Sequence, residues 1–217
     1  MAKKKNVGDP IRRRAKQIAA GLAKLYPDAH CALHHENALQ LLIATILSAQ
    51  CTDVRVNMVT PALFARFPDA KAFADADVGE LETAIQSTGF FRNKAKSIMA
   101  CCKLLVEKHG GQVPRTMAEL VVLPGIGRKT ANVILGTAYD TPGITVDTHV
   151  QRLSRRMDLT KQTDPVKIEY DLMKLIPEKD WTMFSHRMIF HGRQVCYARK
   201  PLCESCTLAK VCPKIGV

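Results

Sequence analysis

The sequence predicts an all-α protein. Apolar residues recur at helical spacing along nearly all of the 217-residue chain, and no run alternates apolar and polar residues as a strand does. Local start signals support several helices. Thr116 with Glu119 forms a capping box, and Asp164 before Pro165 supplies an N-cap with proline in the first turn. Turn residues such as Gly110-Gly111 mark where one helix gives way to the next.

Eleven helices are predicted in order along the chain. The first is amphipathic, and the second is apolar enough to be buried. Three short helices then precede a long basic helix, and a fourth short helix follows it. The eighth begins directly after a glycine-rich turn, and its apolar residues predict that it is largely buried. The predicted helices cover residues 11–25, 38–51, 61–65, 70–74, 78–83, 93–109, 117–122, 128–139, 148–157, 165–175 and 180–191.

The charge balance is strongly basic. Lys and Arg number 32 against 20 Asp and Glu, which gives a formal net charge of +12. An excess of this size is typical of proteins with a polyanionic partner, a nucleic acid or an anionic membrane surface. No run reaches the ~18 apolar residues of a membrane span, and no signal sequence follows the basic N-terminus. We therefore expect a cytoplasmic, nucleoid-associated protein without membrane contact, in which residues 1–9 form a flexible basic arm.

Residues 123–130 have the sequence LPGIGRKT, a glycine-bearing hairpin that opens a helix. The first amides of such a helix lack intrahelical partners and favour an anion, for which a DNA phosphate is the obvious choice. Gly125 and Gly127 would let a polynucleotide backbone approach closely. Lys129 then lies in the first turn, where the macrodipole disfavours a positive charge. With Asp147 about one helix later to hold and use that amine, the pattern predicts a DNA-processing site.

Eight cysteines fall into two groups. Four lie within 17 residues near the end of the chain, spaced as Cys196-x6-Cys203-x2-Cys206-x5-Cys212. So short and turn-rich a segment has too few apolar residues for its own core, and a bound metal would supply the missing cross-links. Spacing alone allows either a tetrahedral Zn²⁺ or a [4Fe–4S] cluster.

The other cysteines are scattered through helical patterns and are predicted to be small buried apolar residues in a reducing compartment. They are Cys31, Cys51, Cys101 and Cys102.

Together these motifs resemble the helix-hairpin-helix DNA glycosylase superfamily. The hairpin, the following Gly/Pro-rich loop with Pro142 and Gly143, and Asp147 carry the resemblance. The lysine that ends LPGIGRK and the four-cysteine segment narrow it to the endonuclease III family, over residues 11–212. The combination of three separate motifs is much more specific than any one of them.

The resemblance implies a two-lobed fold. Residues 31–140 would form a six-helix barrel domain, and residues 10–30 with 141–217 an iron–sulfur cluster domain, with Lys129 and Asp147 facing each other across a cleft. It also implies a [4Fe–4S] cluster on the four spaced cysteines. The implied activity is that of a monomeric, bifunctional DNA glycosylase and AP lyase. It would remove oxidised pyrimidines such as thymine glycol from duplex DNA through a Lys129 Schiff base, and nick abasic sites by β-elimination.

An enzyme that acts on a base in duplex DNA must extrude that base, and a side chain must fill the gap. By resemblance, Gln50 enters the vacated space. The family's aliphatic wedge corresponds to Phe90, a departure that allows stacking, and Thr88 is the alternative wedge. Phe90 as a core residue is a further alternative. The resemblance and the basic loop between the first two spaced cysteines extend the predicted DNA contacts to Gly125, Gly127, Arg128, Thr130, Arg199 and Lys200.

Three other functions compete with this prediction. A monofunctional adenine-mismatch glycosylase would lack a lysine at position 129 and carry a glutamate ahead of the Gln50 loop, where residues 41–48 have no carboxylate. A non-catalytic or weakly active DNA-binding paralogue would use Lys129 only for phosphate, but a carboxylate such as Asp147 repels phosphate unless it has chemistry to perform. A cluster-based electron carrier would not need the hairpin.

Overall fold

The computed structural model describes residues 10–217, so the predicted basic arm at residues 1–9 lies outside the described part of the chain. The described residues form eleven α-helices and no strand, which confirms the all-α prediction. None of these helices is both long and apolar enough to cross a bilayer. In order they are α1 (Pro10–Leu25), α2 (Ala38–Leu47), α3 (Asp53–Arg66), α4 (Ala70–Ala74), α5 (Val78–Ile85), α6 (Phe91–His109), α7 (Met117–Leu120), α8 (Arg128–Ala138), α9 (Thr148–Arg156), α10 (Pro165–Met173) and α11 (Trp181–Gln194).

The helices belong to two compact units. Cys31–Thr141 forms the first, which we call the hairpin unit. The second, the cysteine unit, combines residues 10–30 with Pro142–Val217, so it is discontinuous in sequence. Each unit has its own hydrophobic core.

The hairpin unit is built around α2 and α6. Every residue of α2 from Leu41 to Leu47 is buried, and α2 packs on α3, α6 and α8. Helix α6 buries one face, including Ile98 and Leu105, against α4 and α5. Six helices of five or more residues, together with the single turn α7, enclose this core. The hairpin between α7 and α8 is therefore mounted on a rigid support.

The cysteine unit packs α11 between α1 and α9. Its core includes Ile18, Leu153 and Phe184, together with Leu208 from the four-cysteine segment. A side chain at Gly21 would begin 2.4 Å from the Leu208 side chain, so the small residue in α1 makes room for it. Thus the cysteine segment is anchored on the helical core by Leu208.

Side-chain caps fix most helix starts. The N-cap half of the predicted capping box is present, since the amide of Glu119 donates to the Thr116 hydroxyl, and that hydroxyl in turn donates to the Glu119 carboxylate. The predicted cap of α10 is also present, with the Lys167 amide donating to Asp164 at 2.9 Å. Seven helices carry such a cap, from Asn37, Thr52, Asp69, Asp77, Thr116, Asp147 and Asp164. Helices α6 and α8 begin without one.

Two predicted boundaries near Gln50 were wrong. Helix α2 ends at Leu47 rather than at residue 51, because Gln50 adopts a φ of 52° that a helix excludes. Helix α3 begins at Asp53, eight residues before the predicted start. Pro61 suggested a first turn but lies inside α3, where Thr52 supplies the real N-cap. Packing of Val56 and Leu63 against the core compensates for the backbone hydrogen bond that proline removes.

The scattered cysteines differ in burial. Cys101 and Cys102 are completely buried in α6, as predicted, and burial raises the pKa of the Cys101 thiol to about 12. Burial likewise raises the pKa of Cys102. Cys31 and Cys51 are only half-buried, which corrects the prediction for these two.

Candidate functional site

A surface depression in the hairpin unit collects five of the residues predicted to contact DNA or to react with it. Its empty volume, which includes its open mouth, is about 780 Å³. The loop after α2, the loop before α6 and the start of α8 form its walls. The predicted site residues on its lining are Gln50, Phe90, Gly125, Lys129 and Thr130.

Gln50 and Phe90 both have left-handed backbones, with φ of 52° and 48°. This conformation costs a non-glycine residue about 1–2 kcal/mol and is concentrated at functional sites. Both side chains are exposed, Phe90 to 64%, so Phe90 is not a core residue. Thr88 is 2% exposed and donates its hydroxyl to the Ile85 carbonyl. Of the two wedge candidates, the structure therefore exposes Phe90.

The hairpin presents an uncapped helix start to the same depression. Gly127 is the N-cap of α8 and has no side chain to accept from the helix amides, so the N–H groups of Lys129 and Thr130 have no intrahelical acceptor. Leu123 and Ile126 are buried and hold the hairpin on the core. Lys129 is exposed in the first turn. This arrangement provides a backbone anion site with an amine beside it.

Glycine is required at Gly125 but not at Gly127. Gly125 has a φ of +81°, and a Cβ there would lie 3.0 Å from the Cβ of Ser97, whereas Gly127 has a φ of −94° and open space around it. We expect Gly125→Ala to lower the free energy of unfolding by about 1–3 kcal/mol, and Gly127→Ala to lower it by less than about 1 kcal/mol. Urea unfolding of both variants measures the difference, and equal losses would contradict this account of the hairpin.

Sequence inspection missed Lys94, a buried lysine on α6 that is 5% exposed and also lines the depression. Its ammonium donates to the carbonyl of Leu47 and to that of Thr88, each at 2.8 Å. Burial lowers the pKa of Lys94, an effect that the nearby Cys51 opposes. Lys94 lies four residues before the buried Ile98 and so on the same face of α6, and this spacing was the signal that could have indicated burial.

Asp147 begins α9 in the cysteine unit. Its Oδ1 accepts the Val150 amide at 2.8 Å, so the predicted N-cap is present. His149 lies on the same turn, where a guanidinium nitrogen of Arg152 approaches its Nδ1 at 3.1 Å. Burial lowers the pKa of His149, while the charge of Asp147 opposes that shift. Gly192 packs on the ring so closely that a Cβ there would lie 2.7 Å from Nδ1, so His149 has a packing role.

The four spaced cysteines line one cavity in the cysteine unit, with an empty volume of about 370 Å³. Arg156 donates to the Cys196 sulfur at 3.4 Å, and the ring of His191 lies 3.6 Å from the Cys206 sulfur. Burial raises the pKa of the Cys206 and Cys212 thiols, and repulsion from the neighbouring cysteines raises them further. Sulfur atoms that repel each other in this way are suited to a shared positive centre.

Two arginines of α9 hold the loop that follows Cys196. Arg152 donates to the Cys196 carbonyl at 2.8 Å, and Arg156 donates to the carbonyls of Tyr197 and Ala198 at 2.6 and 2.9 Å. The predicted DNA contacts Arg199 and Lys200 follow directly and are both exposed. The loop thus exposes two cationic side chains on a backbone that the two arginines of α9 hold in place.

The predicted residues therefore form two groups. The hairpin unit contains Gln50, Phe90, the hairpin glycines, Arg128, Lys129 and Thr130. The cysteine unit contains Asp147, Arg199, Lys200 and the four cysteines. The pairing of Lys129 with Asp147 stays a prediction.

The family model that matches this chain is the HhH-GPD superfamily base excision DNA repair protein, over residues 43–178. Endonuclease III of Synechocystis sp. (strain ATCC 27184 / PCC 6803 / Kazusa) is 60% identical over 203 residues, which cover 93% of each chain. Endonuclease III of Bacillus subtilis (strain 168) is 44% identical over 91% of this chain and 92% of its own.

The fold is also similar to that of a solved structure, a trapped endonuclease III–DNA covalent intermediate with an estranged adenine. The TM-score is 0.90 at 45% sequence identity, and the match covers 94% of this chain and 96% of that one.

Proposed function

Since this chain belongs to the HhH-GPD superfamily of base excision DNA repair proteins, as a DNA glycosylase and AP lyase of the endonuclease III type, we propose that Lys129 and Asp147 carry its two reactions. The observation that carries the proposal is the shared depression, in which Lys129, Gln50 and Phe90 meet beside the uncapped start of α8. There an amine can reach a sugar whose base has left the helix, while backbone amides hold the phosphate.

The proposed chemistry begins with a neutral Lys129 Nζ, which attacks C1′ of the damaged nucleotide as the bond from C1′ to the base breaks. The base leaves with its bonding electrons and gains a proton. Loss of an amine proton and opening of the sugar give a Schiff base at C1′. Removal of a C2′ proton then expels the 3′ phosphate by β-elimination, which nicks the strand.

Asp147 supports both steps in this proposal. Its charge stabilises the positive charge that develops at the sugar, and its second oxygen can accept a proton from the amine. The hydrogen bond from Val150 fixes the carboxylate in one orientation, so that less reorganisation is needed during the reaction.

We propose oxidised, ring-saturated pyrimidines such as thymine glycol as substrates, and duplex DNA as the partner. The test is borohydride trapping on duplexes that contain one thymine glycol or one abasic site, with an undamaged duplex as the control. We expect a covalent adduct and a nick on both damaged duplexes and none on the control. Tight binding without any adduct would instead leave a monofunctional glycosylase or a non-catalytic DNA-binding paralogue, and release of the thymine glycol base would distinguish these two.

We further propose that Cys196, Cys203, Cys206 and Cys212 hold a [4Fe–4S] cluster. The spacing of the four thiols fits either metal, and the relationship to endonuclease III favours the cluster. In a cluster each cysteine binds a separate iron, which suits ligands spread around a cavity. Fully ligated, the cluster would cross-link the segment that Leu208 anchors and so support the basic loop at Arg199.

Anaerobically purified protein should contain about four iron and four sulfide per chain. We expect Cys212→Ser to lower both contents, because one ligand is lost, while Cys31→Ser in the other unit keeps the wild-type content. Elemental analysis together with sulfide determination provides the measurement. One zinc per chain without sulfide would contradict the cluster.

A further inference from the structure

We propose that Lys94 is a positioning residue that locks the Gln50 loop and the Phe90 loop into a single geometry for insertion into DNA. The inference rests on the proposed function and deepens it. It concerns how two strained loops, far apart in the sequence, are held ready before DNA arrives.

The hydrogen bonds of Lys94 join the two loops directly. One N–H of its ammonium binds the Leu47 carbonyl, where α2 ends and the Gln50 loop begins. Another binds the Thr88 carbonyl, two residues before Phe90. The backbone amide of Lys94 also donates to the Phe90 carbonyl at 3.1 Å. That amide bond is an ordinary helical bond of α6 and does not depend on the side chain, so it is the ammonium of Lys94 that joins the two loops.

The strained backbone of both loops must be stabilised by contacts with the rest of the structure. Left-handed residues persist only where the surrounding structure over-determines them, and Gln50 and Phe90 each lack the freedom of glycine. Near Gln50, the backbone supplies the bond from the Cys51 amide to the Ser48 carbonyl at 3.1 Å. That bond lies within the loop and does not connect it to another element. The ammonium of Lys94 does so, through charge-assisted bonds in a buried setting.

A lysine that lines a DNA-facing depression has an obvious alternative role as a phosphate contact. The geometry opposes that role, because Lys94 is 5% exposed and two of its three N–H donors already have acceptors. Lys96, two residues further along α6, is exposed and is the matched surface lysine. The two roles also differ in their response to salt, since each lost phosphate contact lowers the salt slope of binding by about 1.

The experiment compares Lys94→Met, Lys94→Gln and Lys96→Met in the cluster-containing, full-length protein. All rates are measured well below the lowest melting temperature, because leaving two buried carbonyls unpaired will lower stability. We expect Lys94→Met to slow single-turnover release of thymine glycol at least tenfold, with an unchanged salt slope for DNA binding. Lys94→Gln, which keeps two N–H donors, should recover part of the rate, and Lys96→Met should match the wild type.

A double-mutant cycle tests whether Lys94 acts through Phe90. Phe90→Ala should slow base release about tenfold in the wild type but no more than about twofold in Lys94→Met, because the loop is already misplaced. A 2-aminopurine opposite the lesion gives a second readout that needs binding only: its fluorescence should rise less with Lys94→Met than with the wild type.

The proposal would be overturned by a Lys94→Met rate within twofold of Lys96→Met, by full additivity with Phe90→Ala, or by a reduced salt slope. If the wild type releases no base, the proposed function fails. The 2-aminopurine signal then still decides the case of Lys94, with equal signals from wild type and Lys94→Met contradicting the proposal.

Discussion

Replacing Lys129 by Gln should abolish both the borohydride-trapped adduct and the strand nick. The amide nitrogen of Gln is not a nucleophile, so no Schiff base can form, and we expect the rate of base release to fall by about 10³-fold or more. DNA binding should persist, because the amides at the start of α8 and the residues Gln50 and Phe90 are unchanged. Single-turnover kinetics on thymine glycol duplexes, with trapping on abasic duplexes, measure both effects.

Lys129→Arg is the matched control for charge. Arginine keeps the positive charge for a nearby phosphate, yet its guanidinium stays protonated and does not attack the sugar. We therefore expect Lys129→Arg to bind DNA as the wild type does and to be as inactive as Lys129→Gln. An adduct formed by either variant would show that another amine is the nucleophile.

Replacing Asp147 by Asn should separate the charge of this residue from its role as an N-cap. Asparagine caps a helix as well as aspartate does, so we expect the free energy of unfolding to change by less than about 0.5 kcal/mol. The developing positive charge at the sugar would lose its partner, and base release should slow by about 10²–10³-fold. Chemical denaturation and single-turnover kinetics on the same preparation give the two numbers.

Asp164→Asn is the control for this experiment, since Asp164 caps α10 through the same kind of bond to the Lys167 amide. We expect it to leave both stability and rate unchanged. If Asp147→Asn released the base at the wild-type rate, the carboxylate would serve only as a cap, and another group would have to stabilise the sugar.

Local signals predicted much of this molecule, because they depend on a few neighbouring residues. The Thr116 capping box, the Asp164 cap and the start of α8 after Gly127 all follow from hydrogen bonds within one turn. The hairpin lysine and the four spaced cysteines are short motifs of the same kind. These features need no knowledge of the tertiary fold.

Features that depend on contacts distant in sequence were missed. Pro61 suggested a helix start, but packing of α3 against the core extends that helix to Asp53. Gln50 and Phe90 have a left-handed backbone although neither is a glycine, so the sequence contained no signal for this conformation. The acceptors of the Lys94 ammonium include the Leu47 carbonyl, 47 residues away, and no local pattern reveals that partner.

At Gln50 and Phe90, the residue that would make the protein most stable to heat differs from the residue that DNA repair requires. Glycine would adopt either conformation without strain, but it would also increase the conformational entropy of the unfolded chain. The net effect should be to raise the free energy of unfolding by up to about 1 kcal/mol at each position. Directed evolution for survival at high temperature would therefore enrich glycine at both positions, and the melting temperature would rise. The same variants would have lost the two exposed side chains that face the depression, so a screen by thermal stability alone would discard the enzyme's function while it appeared to improve the protein.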